Sequence, residues 1–244
     1  YEVLENMIKG NDYSLKSEDD MKTSLNILSL NYFGKNEKER YGSPIVDPNT
    51  KRLSKTFSEY LKDEDYRSFV FDILNLAKYY NEKIQNSGND LILYNQYTRL
   101  DFLKLVNWRN DKKNMANNIY GYRVLDGYIP LFITYHKSED IDDSIKYEDH
   151  FLNQEELAWV SRKNVSLKNK EIDQIINHKE DGKTIYIFVK KNDSEGSQHY
   201  YLGEAEYMKG SANETTNVTE DKIVTMNFIM KTPIRDDIYR YLVN

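Results

Sequence analysis

TIYIFVKK (Thr184–Lys191) is followed by a polar turn at Asp193–Gly196 and then by QHYYLGEAEY (Gln198–Tyr207). The first run is β-branched and aromatic, and the second carries alternating apolar residues. A Gly-containing turn between two such runs predicts a β-hairpin. Downstream, IVTMNFIMK (Ile223–Lys231) sets Val224, Met226, Phe228 and Met230 on one side and Ile223, Thr225, Asn227 and Ile229 on the other, a period of two. Upstream, Tyr120–Leu125 and Pro130–His136 flank Asp126-Gly127, a favoured turn pair, and predict a second hairpin. The final residues, from Ile234, read as a short helix.

Before about residue 90 the period changes to 3.6. Candidate helices cover Glu2–Ile8, a stretch capped by Ser17 and carrying Met21, Leu25, Leu28 and Tyr32 up to a stop at Gly34, then Ser54–Leu61, and Glu64–Gln85. The last of these sets Phe69, Ile73, Leu76 and Tyr80 on one face. Arg40–Thr50, with Gly42, Pro44 and Pro48, reads as a loop, and Asn86-Ser-Gly-Asn89 is the sharpest break. A short strand is expected at Leu91–Tyr94. Thr98 then caps a helix with Leu100, Leu103, Leu105 and Val106 that ends at Trp108. Helices followed by strands predict an α+β chain with a helical domain over 1–88 and a mostly β domain over 93–244.

Composition narrows the function. The 244 residues are 39% hydrophobic and 30% charged, with 21 Tyr and 9 Phe, too aromatic for a disordered chain. There is no Cys, which excludes disulfides and thiolate metal sites and suits a reducing cytoplasm. The four His lack ligand spacing, so no metal is expected. No apolar run approaches 18 residues, so no membrane span is expected. The chain opens on Tyr1 and directly on a helical pattern, which reads as a piece of a longer protein. Net charge is −6 and divides about evenly at Ile92, so any nucleic-acid contact has to be local.

Catalytic signatures are missing. No GxxxxGK[ST], GxGxxG, GxSxG or HxK occurs, and Glu204, Glu206 and Asp237 have no Lys in nuclease register. Thr134-Tyr-His-Lys137 offers His136 and Lys137 for acid–base work or as a plain polar strand end. Tyr147-Glu-Asp-His-Phe151 offers a proton or metal site, or a helix cap at Asp149. The segment FLNQEELAWVSR (Phe151–Arg162) joins Trp159 to Ser161, Arg162 and Lys163, with Lys168 and Lys170 close behind. An aromatic plate with cations suits a base and its phosphates, and a core Trp with solvated flanks fits equally well. Tyr120, Tyr122, Tyr128, Tyr135 and Tyr147 fall within 28 residues. Tyr both stacks and hydrogen-bonds, and is also a common strand residue.

Six short motifs then occur in order: NIYGY (Asn118–Tyr122), FITYHK (Phe132–Lys137), YEDHF (Tyr147–Phe151), WVSR (Trp159–Arg162), IFVK (Ile187–Lys190) and YYLG (Tyr200–Gly203). From about Tyr97 to Val243 the chain resembles the C-terminal domain that follows helicase modules in bacterial multidomain nucleases. The resemblance is to type IV, modification-dependent restriction endonucleases of the SauUSI type. It implies a parent that joins a phospholipase D-like nuclease, a superfamily 2 ATPase, a helical coupler and this domain. It also implies an SRA- or PUA-like curved sheet or barrel that flips 5-methylcytosine or 5-hydroxymethylcytosine out of duplex DNA.

Flipping costs a few kcal/mol, and stacking on an aromatic returns about 1–3 kcal/mol per base. A carboxylate accepting from the cytosine N4 amine selects the base. The resemblance and this chemistry together nominate Tyr120, Tyr122, Tyr147, Asp149 and Trp159 for the base pocket. Ser161, Arg162, Lys163, Lys168, Lys170, His136 and Lys137 are nominated for the backbone or the orphan base. No cofactor is expected within these residues, ATP and Mg belonging to the parent. The expected partners are modified duplex DNA, the parent's nuclease and ATPase domains, and a possible second copy. The alternative is an interaction or dimerisation module that couples the parent's parts without reading bases; a cryptic nuclease is a third reading.

Overall fold

A computed structural model of the chain describes residues 18–87, 91–106, 108, 119–136, 149–217 and 219–244. They form two compact units, Tyr1–Ile92 with Leu103–Asn118, and Leu93–Phe102 with Ile119–Asn244. The expected helix Glu2–Ile8 lies outside the described residues.

In the first unit, α1 spans Glu18–Leu28, α2 Lys35–Tyr41, α3 Lys55–Tyr60 and α4 Glu64–Ser87. The stop at Gly34 is corrected. The α1 helix ends at Leu28, and Leu30 turns the chain with a φ of 60°. Gly34 instead opens α2, its N–H donating to Glu37 Oε2 at 3.1 Å. The seven-residue α2 was hidden because KNEKERY carries no apolar stripe to mark a helix. Ser54 caps α3 as expected, its Oγ accepting from Phe57 N at 3.2 Å. Phe57 and Leu61 form a small core onto which Ile45, Leu53, Val70 and Leu74 pack.

The second unit contains β1 (Gln96–Tyr97), β2 (Tyr128–His136), β3 (His150–Phe151), β4 (Glu156–Val160), α6 (Lys170–Ile176), β5 (Thr184–Asn192), β6 (His199–Tyr207), β7 (Asn213–Thr216), β8 (Lys222–Met230) and α7 (Asp236–Val243). Helix α5 (Arg99–Leu105) follows β1. Thr98 and Asp101 cap it reciprocally, Asp101 N–H donating to Thr98 Oγ1 and Thr98 N–H donating to Asp101 Oδ2. The eight strands lie in one open sheet, ordered β2-β5-β6-β8-β4-β3, with β1 on β6 and β7 on β8. The architecture is α+β.

The β5–β6 hairpin forms as the opening stretch predicts, antiparallel with Ile185 opposite Ala205. It is bulged: Ile187 faces Gly203 and Phe188 faces Tyr201, which leaves Leu202 extra. Gly203 takes a φ of +111° there, and an added Cβ would sit 3.2 Å from Leu93 Cδ2. The upstream hairpin is reduced. Arg123 N–H and Leu125 N–H donate to Pro130 and Tyr128 carbonyls across Asp126-Gly127, but Tyr120–Leu125 is not a strand. The main partner of β2 is β5, in parallel. Leu91–Tyr94 is likewise no strand, since Tyr94 has a φ of 66°.

Alternation sorts the sheet's two faces. One buries Ile129, Leu131 and Ile133 of β2, Ile185, Ile187 and Val189 of β5, and Val224, Met226, Phe228 and Met230 of β8. Helices α6 and α7 add Ile172, Ile175 and Leu242 to this core. The other carries an aromatic layer in which Phe132 stacks on Phe188 at 4.5 Å and Phe102 of α5 meets Phe188 edge-on at 5.4 Å.

Candidate functional site

The candidate site is built on the β3–β4 hairpin. Asn153 makes its turn, Oδ1 accepting from Glu155 N at 2.8 Å, and His150 and Phe151 then pair with Ala158 and Leu157. Asp149 stands directly ahead of β3, so pairing carries its side chain to the end of β4. There Val160 N–H donates to Asp149 Oδ1 at 2.9 Å. This buried carboxylate ties off a hairpin, and the helix-cap reading of Asp149 is corrected: no helix starts there.

Alternation along β4 turns Leu157 and Trp159 into the core. The Trp159 ring meets Tyr122 edge-on at 5.0 Å and Phe228 at 5.7 Å. The Arg162 guanidinium covers the Tyr122 ring at 4.2 Å and pairs with Glu171 in the first turn of α6. Asn169 caps that helix, accepting from Glu171 N at 2.9 Å. The Tyr122 hydroxyl is buried without a hydrogen-bond partner. Burial raises its pKa, and the nearby Arg162 opposes the rise. Ser161 locks this end of the hairpin to β8. Its N–H donates to Val224 O at 2.8 Å, and its Oγ accepts from Val224 N at 2.9 Å. Asp149, Trp159, Ser161, Arg162 and Tyr122 are therefore brought together, with both rings buried.

The other nominated residues scatter. Tyr120 is 79% exposed. His136 ends β2, exposed, edge-on to Tyr135 at 5.0 Å, and Tyr135 stacks on Phe151 at 5.7 Å. Lys163 pairs with Asp221 at 2.9 Å and donates to Thr219 at 3.1 Å. Hydrogen bonds from Thr219 first and Lys163 next hold the Asp221 carboxyl at about 2. Lys168 and Lys170 are exposed on either side of the cap Asn169. Tyr147 and Lys137 lie outside the described residues.

Sequence reasoning missed a second polar group on the aromatic face of the sheet. Arg99 of α5 lies 5.5 Å over the Phe132 ring, and His199 meets the same ring edge-on at 5.1 Å. Arg99 Nε and His199 Nε2 are both buried without a partner. His199 is fully buried and its Nδ1 lies 3.1 Å from Ser197 O, a contact that requires Nδ1 to carry the proton. Burial, then Arg99 and Lys190, push its pKa down to about 4, so the ring is neutral at pH 7. Lys190 is buried and paired with Asp193 at 3.0 Å and with Gly196 O at 2.8 Å. One signal was available: alternation along Thr184–Lys191 places Lys190 on the Phe188 side, an inward Lys.

Among the described residues no group of three His, Asp or Glu is placed to hold a metal ion, and no helix is long and apolar enough to cross a membrane.

No curated protein matches the chain in sequence. Among solved structures, the SRA domain of SUVH5 in complex with hemi-methylated CG DNA is similar at 10% identity and a TM-score of 0.40, over 60% of this chain and 93% of that one. The DNA modification-dependent restriction endonuclease AspBHI is similar at 12% identity and a TM-score of 0.37, over 60% of this chain and 78% of that one. SUVH6 of Arabidopsis thaliana, in complex with SAM, gives 10% identity and 0.37, over 65% of this chain and 32% of that one. Residues 2–86 match the family described as Domain of unknown function (DUF8090). Residues 91–242, most of the chain and all of the sheet, match Domain of unknown function (DUF3427), and it is to this family that the chain belongs.

Proposed function

We propose that the strand-rich unit, as an SRA-like domain, reads 5-methylcytosine or 5-hydroxymethylcytosine in duplex DNA by taking the base out of the helix. In this reading it is the specificity domain of an ATP-dependent type IV restriction endonuclease of the SauUSI type. Residues 1–88 then serve as the helical coupler, and cleavage and ATP hydrolysis reside in other domains of the parent.

The observation that carries the reading is the assembly at the β3–β4 hairpin. A buried carboxylate, Asp149, accepts from the backbone N–H of Val160. A carboxylate offers about four lone-pair sites, and such an acceptor is what the N4 amine of cytosine requires. An aromatic pair and a cation lie beside it, Trp159 edge-on to Tyr122 and Arg162 over the Tyr122 ring. Tyr122, Asp149, Trp159, Ser161 and Arg162 all belong to the ordered motifs that carry the sequence resemblance. Trp159 and Tyr122 act as buried walls that fix the hairpin, and the exposed Lys168 and Lys170 offer local positive charge on a chain of net charge −6.

The test is a titration of the chain with two duplexes that differ only in a single 5-methylcytosine, at one moderate salt concentration. Tighter binding of the modified duplex is expected, with no magnesium-dependent cleavage of either. Equal affinity for the two overturns the reading.

A further inference from the structure

Helix α4 is 24 residues long, about 36 Å at the α-helical rise. Asp63 starts it, Oδ1 accepting from Tyr66 N at 2.8 Å. Its own unit uses only part of its surface, since Val70 and Leu74 pack toward Phe57 and Leu61. About a quarter turn round the helix lies a second apolar row: Tyr66, Phe69, Ile73, Leu76 and Tyr80. The spacing of that row is 3-4-3-4, the heptad pattern of a coiled-coil seam. These five side chains are between 38% and 68% exposed. Tyr66, at the N-terminal end, also touches Phe57 at 6.2 Å, so the seam grows out of the unit's own core.

We propose that this seam is a homodimer interface, covered by α4 of a second copy in parallel and in register. Three observations select that occupant. In heptad terms Tyr66, Ile73 and Tyr80 hold the a positions and Phe69 and Leu76 the d positions. At the central heptad Ile73 at a meets Leu76 at d, the combination that in parallel coiled coils favours two strands. The flanking charges agree. Asp65 and Asp72 hold g positions, and in a parallel pair they face Val70 and Ala77 at the partner's e positions. An antiparallel pair sets g against g and brings the acids together. The area is also sufficient. At about 200 Å² for a large side chain, the row exposes roughly 500 Å² per copy, or about 1,000 Å² for the pair, the threshold of a specific interface. The helix is already folded on its own unit, so association does not have to order it.

This inference stands apart from the reading of modified DNA, because a dimer forms through α4 whether or not the sheet binds a base. Light scattering of the 244-residue chain at tens of micromolar should give twice its 29.0 kDa mass. Ile73→Asp and Leu76→Asp should each weaken the dimer at least tenfold with an unchanged circular dichroism spectrum. Asn75→Asp, on the opposite face, should not. The chain has no Cys, so a single introduced thiol reports on one position. Ile73→Cys should oxidise to a linked dimer, as matching a positions meet in a parallel pair, and Asn75→Cys should stay monomeric. A monomeric wild type, a dimer that survives both aspartates, or equal linking from Asn75→Cys overturns the proposal.

Discussion

Asp149→Asn separates the two duties assigned to one carboxylate. The first is structural: Oδ1 accepts from Val160 N at 2.9 Å and closes the β3–β4 hairpin. Asparagine has the same shape, and its amide oxygen can keep that bond, which then loses its charge assistance, about 1 kcal/mol. The second duty is proposed recognition. With its oxygen on Val160, asparagine turns an NH₂ toward the site where the carboxylate is proposed to accept from N4, and donor then faces donor. One such mismatch costs about 1–3 kcal/mol, or roughly 5- to 150-fold in affinity. Asp149→Ala is less informative, because it strands the part-buried Val160 N–H at a cost of about 1 kcal/mol or more and confuses folding with binding. The assay is fluorescence anisotropy with matched duplexes, modified and unmodified, at fixed salt, beside a thermal melt of each protein. The expected result is a variant that melts within a few degrees of wild type and binds the two duplexes equally. If Asp149→Asn melts normally and still prefers the modified duplex, the carboxylate only ties the hairpin and the pocket assignment is refuted.

Trp159→Ala should lose about 3–5 kcal/mol in denaturant titration, because the ring is buried against Tyr122 and Phe228; a loss under 1 kcal/mol would show the ring to be loosely held. Replacing Lys168 and Lys170 together by Ala should lower the slope of log K against log salt by about 2, one counterion per lost phosphate contact, and an unchanged slope places the phosphates elsewhere. His199 has its pKa depressed from 6.5 to about 4, so the unfolded chain binds the extra proton first as pH falls. Stability should therefore be full above about pH 6.5 and decline towards pH 4, by on the order of 3 kcal/mol in total. His199→Phe keeps a ring against Phe132 and should flatten that decline in pH-dependent melts; an equally steep decline assigns it to other groups.

The strands were legible where a single period ran undisturbed. Thr184–Lys191 and Ile223–Lys231 alternate cleanly and became β5 and β8. Tyr120–Leu125 has the same residue types, but Gly121 at a φ of +73° and the parallel pairing of β2 with β5 leave it as isolated bridges. Parallel pairing joins residues some 55 positions apart in the chain, beyond the reach of any local pattern. Part of the candidate site was visible as types: Asp149, Trp159, Ser161 and Arg162 were singled out by aromatic and charged neighbours. Their roles were not, since the bond between Asp149 and Val160 depends on a two-residue strand too short for a periodic signal. Arg99 and His199 escaped because they meet only through Phe132, a residue of a third element.

The Ser161–Val224 bonds span 63 residues, and β4, paired locally with β3, finds its second partner in β8, some 70 residues further on. A ribosome delivers Asp149 and Trp159 long before the strand that holds them. Nascent or C-terminally shortened chains therefore contain every residue of the candidate site without its shape. Closing so distant a contact late also makes for slow folding. The candidate site takes its shape only once residues through Met230 are in place.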